Sequence, residues 1–113
     1  MSDCLFCKMI AREINTHVVY EDDDVLAFHD IAPKAPVHIL IIPKKHIASL
    51  AEMTASDTLL MGKILYVATQ LAEKHGIDKS GYRLVTNCRE DGGQEVFHLH
   101  FHLIGGKKLA GFA

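Results

Sequence analysis

The stretch Val96-Phe97-His98-Leu99-His100-Phe101-His102-Leu103-Ile104 alternates apolar and imidazole side chains. A period of two marks an extended chain, whose successive side chains point to opposite sides. Read as a strand that Gly105-Gly106 ends, it places His98, His100 and His102 on one face and Phe97, Leu99, Phe101 and Leu103 on the other. The apolar face calls for a helix to pack against. The other face would ordinarily carry Thr, Lys or Glu, because strand propensity does not select imidazole. Three histidines in register therefore point to chemistry, and imidazole serves two kinds, metal ligation and phosphate chemistry.

The required helix lies upstream. Leu60, Ile64, Val67, Ala68 and Leu71 recur at helical spacing, Thr54 or Ser56 can cap the start and Gly76 supplies the stop, so a helix is expected over residues 55–75. Between it and the histidine strand, Tyr82-Arg83-Leu84-Val85-Thr86 reads as a strand and residues 87–94, with Asp91-Gly92-Gly93, as a loop. Further upstream, Val37-His38-Ile39-Leu40-Ile41-Ile42 is a β-branched run stopped by Pro43, the pattern of a central strand. A helical turn is expected within residues 46–53. The apolar runs 17–20 and 25–28 flank Glu21-Asp22-Asp23-Asp24 and suggest a β-hairpin, and residues 5–12 have apolar positions at helical spacing. Five strands, one long helix between the third and fourth, and one or two short helices make an α+β domain with a mainly antiparallel sheet.

With 113 residues, the chain has room for one domain, expected over residues 1–113, and not for two. It is 49% hydrophobic and 23% charged, which excludes a disordered or fibrous chain. A formal net charge of −2 gives no electrostatic footprint for nucleic acid or an anionic membrane, so neither is expected as a partner. No apolar run approaches the ~20 residues that span a bilayer. The start Met1-Ser2-Asp3-Cys4 lacks the blocks of a signal peptide, and three cysteines do not suit a disulfide framework, so a cytoplasmic protein is expected.

His98-Leu99-His100-Phe101-His102-Leu103-Ile104 resembles the signature of the histidine-triad (HIT) family: three alternate histidines followed by two apolar positions. The resemblance extends along the chain. Phe28-His29-Asp30-Ile31-Ala32-Pro33, then Val37 through His46 with its Pro43-Lys44-Lys45, then Asp91-Gly92-Gly93-Gln94 are similar, in order, to segments of the Hint branch, the purine nucleoside phosphoramidases. The resemblance implies a HIT-like fold with two sheets joined across a homodimer, and hydrolysis of the P–N bond of purine nucleoside 5′-phosphoramidates. The ligands implied are purine nucleotides such as AMP or GMP and their phosphoramidates.

A neutral imidazole has one nitrogen lone pair and attacks phosphorus without an activating base. On the resemblance, His100 is this nucleophile and forms a transient nucleotidyl-histidine. His102 then bonds the phosphate oxygens and hands a proton to the departing amine, and His38 orients the pair from the neighbouring strand. Asp30 reads the ribose hydroxyls, although by itself it is equally a turn residue before Ile31-Ala32-Pro33. Leu5, Phe6, Met9, Phe28 and Ile31 line the base pocket, whereas periodicity alone makes each plain core. Glycines in 91–94 let backbone N–H groups approach an anion, and Asn87, Gly93 and Gln94 match ligand-contacting positions. Glu95 stands where the eukaryotic pattern has serine, which bears on the leaving group. The tail Lys107-Lys108-Leu109-Ala110-Gly111-Phe112-Ala113 lacks the tryptophan of the eukaryotic proteins.

Cys4-Leu5-Phe6-Cys7 is a C-x-x-C, which in a reduced compartment suggests metal or redox chemistry. Zinc needs four N or S ligands, and the resemblance supplies the other two as His46 and His98. The expected cofactor is thus a structural zinc on Cys4, Cys7, His46 and His98, with no metal in catalysis. Other readings are a dinucleoside polyphosphate hydrolase using the same histidine, a nucleotide-binding regulatory module with incidental turnover, and a hydrolase whose three histidines ligate a catalytic metal.

Overall fold

In the computed structural model of the chain, residues 4–111 are described; Met1–Asp3 and the last two tail residues, Phe112 and Ala113, lie outside them. The elements in chain order are α1 (Leu5–Ile10), β1 (Val18–Glu21), β2 (Val25–His29), β3 (Val37–Pro43), α2 (Thr58–Lys74), β4 (Tyr82–Val85) and β5 (Phe101–Gly105). Single 3-10 turns at Leu50–Glu52 and Ala55–Asp57 lead into α2. The five strands of the described residues form one sheet in the order β1-β2-β3-β5-β4, and every neighbouring pair is antiparallel.

The acidic turn builds the β1–β2 hairpin through Asp22, whose Oδ1 accepts the N–H groups of Asp24 (2.8 Å) and Val25 (2.9 Å). Lys63 of α2 reaches Asp22 and Asp24 of the same turn, at 2.9 Å each, and ties the helix to the hairpin. Gly76, at φ +73, stops α2: its N–H donates to the Glu73 carbonyl (3.1 Å) and that of Ile77 to Ala72 (3.0 Å), the two bonds of a Schellman closure.

Register divides the sheet into two faces. Ile39 pairs with Leu103, Ile41 with Phe101 and Ala27 with Ile41, so these side chains share one face, where they pack on Ile64, Val67, Ala68 and Leu71 of α2. The other face carries Leu26, Phe28, Leu40 and Ile42, which α1 covers with Phe6 and Met9 in a second, smaller core. Burying each large apolar side chain contributes roughly 1.5–3 kcal/mol, so the α2 face supplies most of the stability. Towards β4 the second face is not covered by α1, and there it forms a cavity.

Three elements differ from the sequence reading. β5 begins at Phe101 rather than Val96, because the chain has left the β3 ladder by then: Leu99 N–H donates to the Ile47 carbonyl at 2.7 Å instead of to β3. Phe97 accordingly is 55% exposed and does not pack on α2, whereas Leu99, Phe101 and Leu103 do. The first turn of the long helix is 3-10, with Asp57 Oδ2 accepting the Thr54 N–H at 2.9 Å, and α1 stops at Ile10, where Arg12 follows at φ +65.

Candidate active site

His38 on β3 and His102 on β5 face the cavity from adjacent strands, since His102 pairs with Leu40 and His38 with Ile104. Hydrogen-bond partners assign their protons. Lys34 N–H donates to His38 Nδ1 at 3.0 Å, so His38 carries its proton on Nε2. That Nε2–H donates to His102 Nδ1 at 2.9 Å, which leaves the His102 proton on Nε2. The result is a directional chain, Lys34 to His38 to His102, that ends in an N–H donor. Burial holds both imidazoles below the usual histidine range, His102 down to about 4 with help from neighbouring His100 and His38. His38 is therefore neutral at pH 7, and its 3.5 Å approach to Asp30 Oδ2 is not an ion pair.

His100 is oriented differently. Its Nδ1–H donates to the carbonyl of His98 at 2.7 Å, so Nε2 bears the lone pair. The Phe6 ring meets the imidazole edge-on at 5.1 Å and 84°, and Thr86 Oγ1 donates to the His100 carbonyl at 2.8 Å. The His100 and His102 rings lie 5.1 Å apart. One thus offers an acceptor and the other a donor.

The cavity, about 660 Å³, is lined by His38, His100 and His102 together with Phe6, Asp30, Asn87, Gly93 and Glu95. The glycines shape the loop wall: a Cβ on Gly92 would lie 2.5 Å from the Cys88 carbonyl oxygen, and Gly93 has φ +79. Asp30 holds the opposite rim, with Oδ1 accepting the Ala32 N–H at 2.7 Å, so it is both turn residue and cavity residue.

The remaining expected contacts fall elsewhere. Gln94 turns away from the cavity: its Oε1 accepts the Arg89 N–H (2.7 Å) and its Nε2 donates to the carbonyls of Ala48 (2.7 Å) and Val96 (3.0 Å). Met9 and Phe28 lie in the small core behind Phe6. Leu5 is partly exposed and Ile31, at 96% exposure, is nearly bare. Sequence reasoning missed Arg83, Val85 and Ile104 as cavity residues. Their alternation with Leu84 and Leu103 was visible, but only the pairing of Val85 with His102 and Arg83 with Ile104 brings them to this face.

His98 belongs to a different group. Its Nε2–H donates to the Pro43 carbonyl at 2.7 Å, which turns an unprotonated Nδ1 towards Cys4 Sγ (3.3 Å), Cys7 Sγ (3.5 Å) and His46 Nδ1 (3.1 Å); Cys7 Sγ is also 3.3 Å from His46 Nδ1. Tetrahedral zinc with bonds of about 2.0 Å to N and 2.3 Å to S would separate its ligands by about 3.3–3.8 Å. The four donors, all within 4.8 Å of one another, fit that tetrahedron. The Pro43 bond supplies the outer partner that metal-bound histidines require. Among the described residues, no group of three or more such donors includes His100, and His98 and His102 fall in separate groups. The triad does not converge on one metal.

The HIT domain family model matches residues 11–109, and the chain belongs to that family. The purine nucleoside phosphoramidase of Escherichia coli (strain K12) is 47% identical over 107 residues, 95% of this chain and 90% of that protein. A HIT-like protein of Synechococcus elongatus is 52% identical over 96% of this chain and 94% of its own length. Among solved structures, a HIT family hydrolase from Legionella pneumophila superposes with a TM-score of 0.94 at 50% identity, covering 96% of each chain. One from Clostridium thermocellum gives 0.95 at 47% identity, covering 99% of this chain and 97% of that one.

Proposed function

We propose that this HIT protein is a nucleotide hydrolase that cleaves the P–N bond of purine nucleoside 5′-phosphoramidates through a nucleotidyl-histidine on His100. The observation that carries the reading is the opposed polarity of two imidazoles at one cavity: an acceptor Nε2 on His100 and a donor Nε2–H on His102. The 47% identity to a phosphoramidase over most of both chains supports the choice of substrate.

In the first half-reaction, the His100 Nε2 lone pair bonds to phosphorus as the P–N bond breaks. The nitrogen takes one proton from solvent at the His102 edge of the cavity and leaves as the neutral amine, while the phosphorylated His100 ring carries the positive charge. In the second, water adds to phosphorus, its proton returns by the same route, and the P–Nε2 bond breaks to free the nucleoside monophosphate. His102 Nε2–H stabilises the phosphoryl oxygens as charge develops, and His38 holds it in the donor tautomer. Asp30 accepts the ribose hydroxyls with the capacity its turn bond leaves. Phe6 makes the base side with Met9 and Phe28 packed behind it, and the exposed Leu5 and Ile31 close on the base from outside. Asn87 and Gly93 border the phosphate, Gln94 braces that loop from behind, and Glu95 faces the leaving group. Cys4, Cys7, His46 and His98 hold a zinc, which contributes folding energy to α1 and takes no part in the transfer. The chain acts as one domain in the cytoplasm and pairs as a homodimer. Leu59, Leu65 and Tyr66, apolar and exposed on α2, are the surface that supports pairing.

Replacing His100 by Ala is expected to abolish hydrolysis of adenosine 5′-phosphoramidate while AMP binding stays within about tenfold, because the side chain acts on the transition state more than on the ground state. Rapid-quench intact-mass measurement should find a nucleotidyl adduct on the wild type and none on the variant. An adduct that persists without His100 rejects the assignment.

A further inference from the structure

Five of the eight histidines belong to the cavity or to the Cys/His cluster, and the remaining three, His17, His29 and His75, meet elsewhere. His29 ends β2 and pairs with Ile39, whose side chain lies in the core under α2, so His29 stands at the rim of the face opposite the cavity. Its main-chain N–H donates to the His17 carbonyl at 3.0 Å, one step beyond the Val18–Phe28 pair. Residues opposed in this way project to one face with Cβ atoms roughly 4.5–5.5 Å apart, so His17 stands beside His29. His75 comes from the other layer, as the C-cap of α2. Its ring meets that of His29 at 5.9 Å between centroids and 82° between planes. The His75 Nδ1–H donates to the Leu71 carbonyl at 2.9 Å, which fixes the ring and leaves Nε2 as the lone-pair nitrogen. A helix end accounts for His75 by itself; it does not account for two more imidazoles beside it.

We propose that His29 and His75, with His17 as a third arm, form a second metal site, for a borderline divalent ion of the nickel, copper and zinc group. The ring geometry is close to that of His46 and His98 in the Cys/His cluster, 4.9 Å and 85°, and a small turn of the exposed His29 ring closes the difference. The Leu71 carbonyl gives His75 the outer hydrogen bond that metal-bound histidines use. An all-imidazole donor set suits these ions and not magnesium or calcium, which take oxygen. Among the described residues the three side chains do not already lie within 4.8 Å of one another, so the site closes on the ion and water completes its coordination. Lys63 ties the turn of the β1–β2 hairpin to α2 through Asp22 and Asp24. The ion ties the open end of the same hairpin to the end of the same helix, and its occupancy stabilises the fold by mass action. The site lies on the far face from His100 and rests neither on the phosphoramidase reaction nor on zinc in the cluster.

The test titrates nickel into the full chain, loaded with one equivalent of zinc and desalted, by calorimetry with amide NMR spectra recorded alongside. Nickel is the probe because it does not oxidise the thiols of Cys4, Cys7 and Cys88. Wild type is compared with His29→Asn, His75→Asn, His17→Asn and His102→Asn. Asn suits a helix end, so His75→Asn keeps the fold. His102→Asn removes an imidazole from the Asp30, His38 and His102 group, the other set of donors that nickel could enter. The expected result is one nickel per wild-type chain, paramagnetic broadening centred on His17, His29 and His75 and not on Asn87 and Gly93, and a higher Tm with the ion. His29→Asn and His75→Asn should each weaken binding at least about tenfold and lose the Tm shift, since even the outer partners of a metal-bound histidine are worth about 10- to 100-fold. His17→Asn should weaken binding less, and His102→Asn should bind as wild type does. The proposal is overturned if the wild type binds nickel with a Kd above about 1 mM. It is equally overturned if His29→Asn or His75→Asn binds as tightly as wild type, or if the broadening centres on His38 and His102 and only His102→Asn removes the binding.

Discussion

Each imidazole of the site takes its role from the atom that faces its second nitrogen. A backbone N–H makes His38 a donor through Nε2, His38 in turn makes His102 a donor, and a backbone carbonyl makes His100 an acceptor. None of these partners could be read from the histidine pattern, because identical side chains at identical spacing allow either tautomer. Gln94 shows the same limit. Its place beside Gly92-Gly93 suggests a ligand contact, yet its amide is saturated by three main-chain groups and pins the loop to Ala48. Replacing Gln94 by Ala is expected to cost about 2–4 kcal/mol, because it strands buried main-chain groups that the side chain now satisfies. Urea denaturation measures this directly. Gln94→Glu should not restore stability, since a carboxylate cannot donate to the Ala48 and Val96 carbonyls.

At the scale of elements, α2 was the most legible part of the chain, because its apolar spacing, hydroxyl cap and glycine stop all agree. Its buried stripe is Met61, Ile64, Val67, Ala68, Leu71 and Ala72, and its exposed side carries Leu59 at 89% exposure. Ile64→Ala is therefore expected to cost about 2–5 kcal/mol in denaturation experiments, the range for truncating a fully buried aliphatic side chain. Leu59→Asp should leave the subunit folded and weaken the homodimer proposed above, and sedimentation equilibrium over a dilution series reads that directly. The histidine strand was legible in type but not in extent. Alternation predicts nine extended residues, whereas pairing begins only at Phe101, because Leu99 bonds to Ile47 and His98 to Pro43. A period of two says that a chain is extended. It does not say that a partner strand lies beside it.

For the molecule as a whole, the cost of burying imidazoles sets the response to pH. His38, His98 and His102 are held below their ordinary range first by burial, the latter two down to about 4. A depressed histidine binds fewer protons in the native state than in the unfolded one, so stability rises with pH across the window between the two values. Stability of chelator-treated protein should be flat above pH 7. It should fall from about pH 6.5 towards pH 4, by no more than about 1.4 kcal/mol per pH unit for each histidine. Denaturant midpoints at pH 7.5, 6 and 5 measure the slope, and an equal midpoint at all three would show that these imidazoles titrate normally.

The sequence by itself determined the α+β class, the long helix and its glycine stop, the hairpin, the central strand and the residue types of both histidine sites. Those features follow from periodicity, caps and turn chemistry, which act over a few neighbouring residues. Only the tertiary structure decided which partner fixes the tautomer of each imidazole, that Arg83 and Val85 join the cavity, and that Gln94 serves the loop. Each depends on atoms brought together from positions far apart in the chain, as where His98 meets Cys4, Pro43 and His46. The direction in which a side chain is satisfied is set by those contacts and not by its neighbours in sequence.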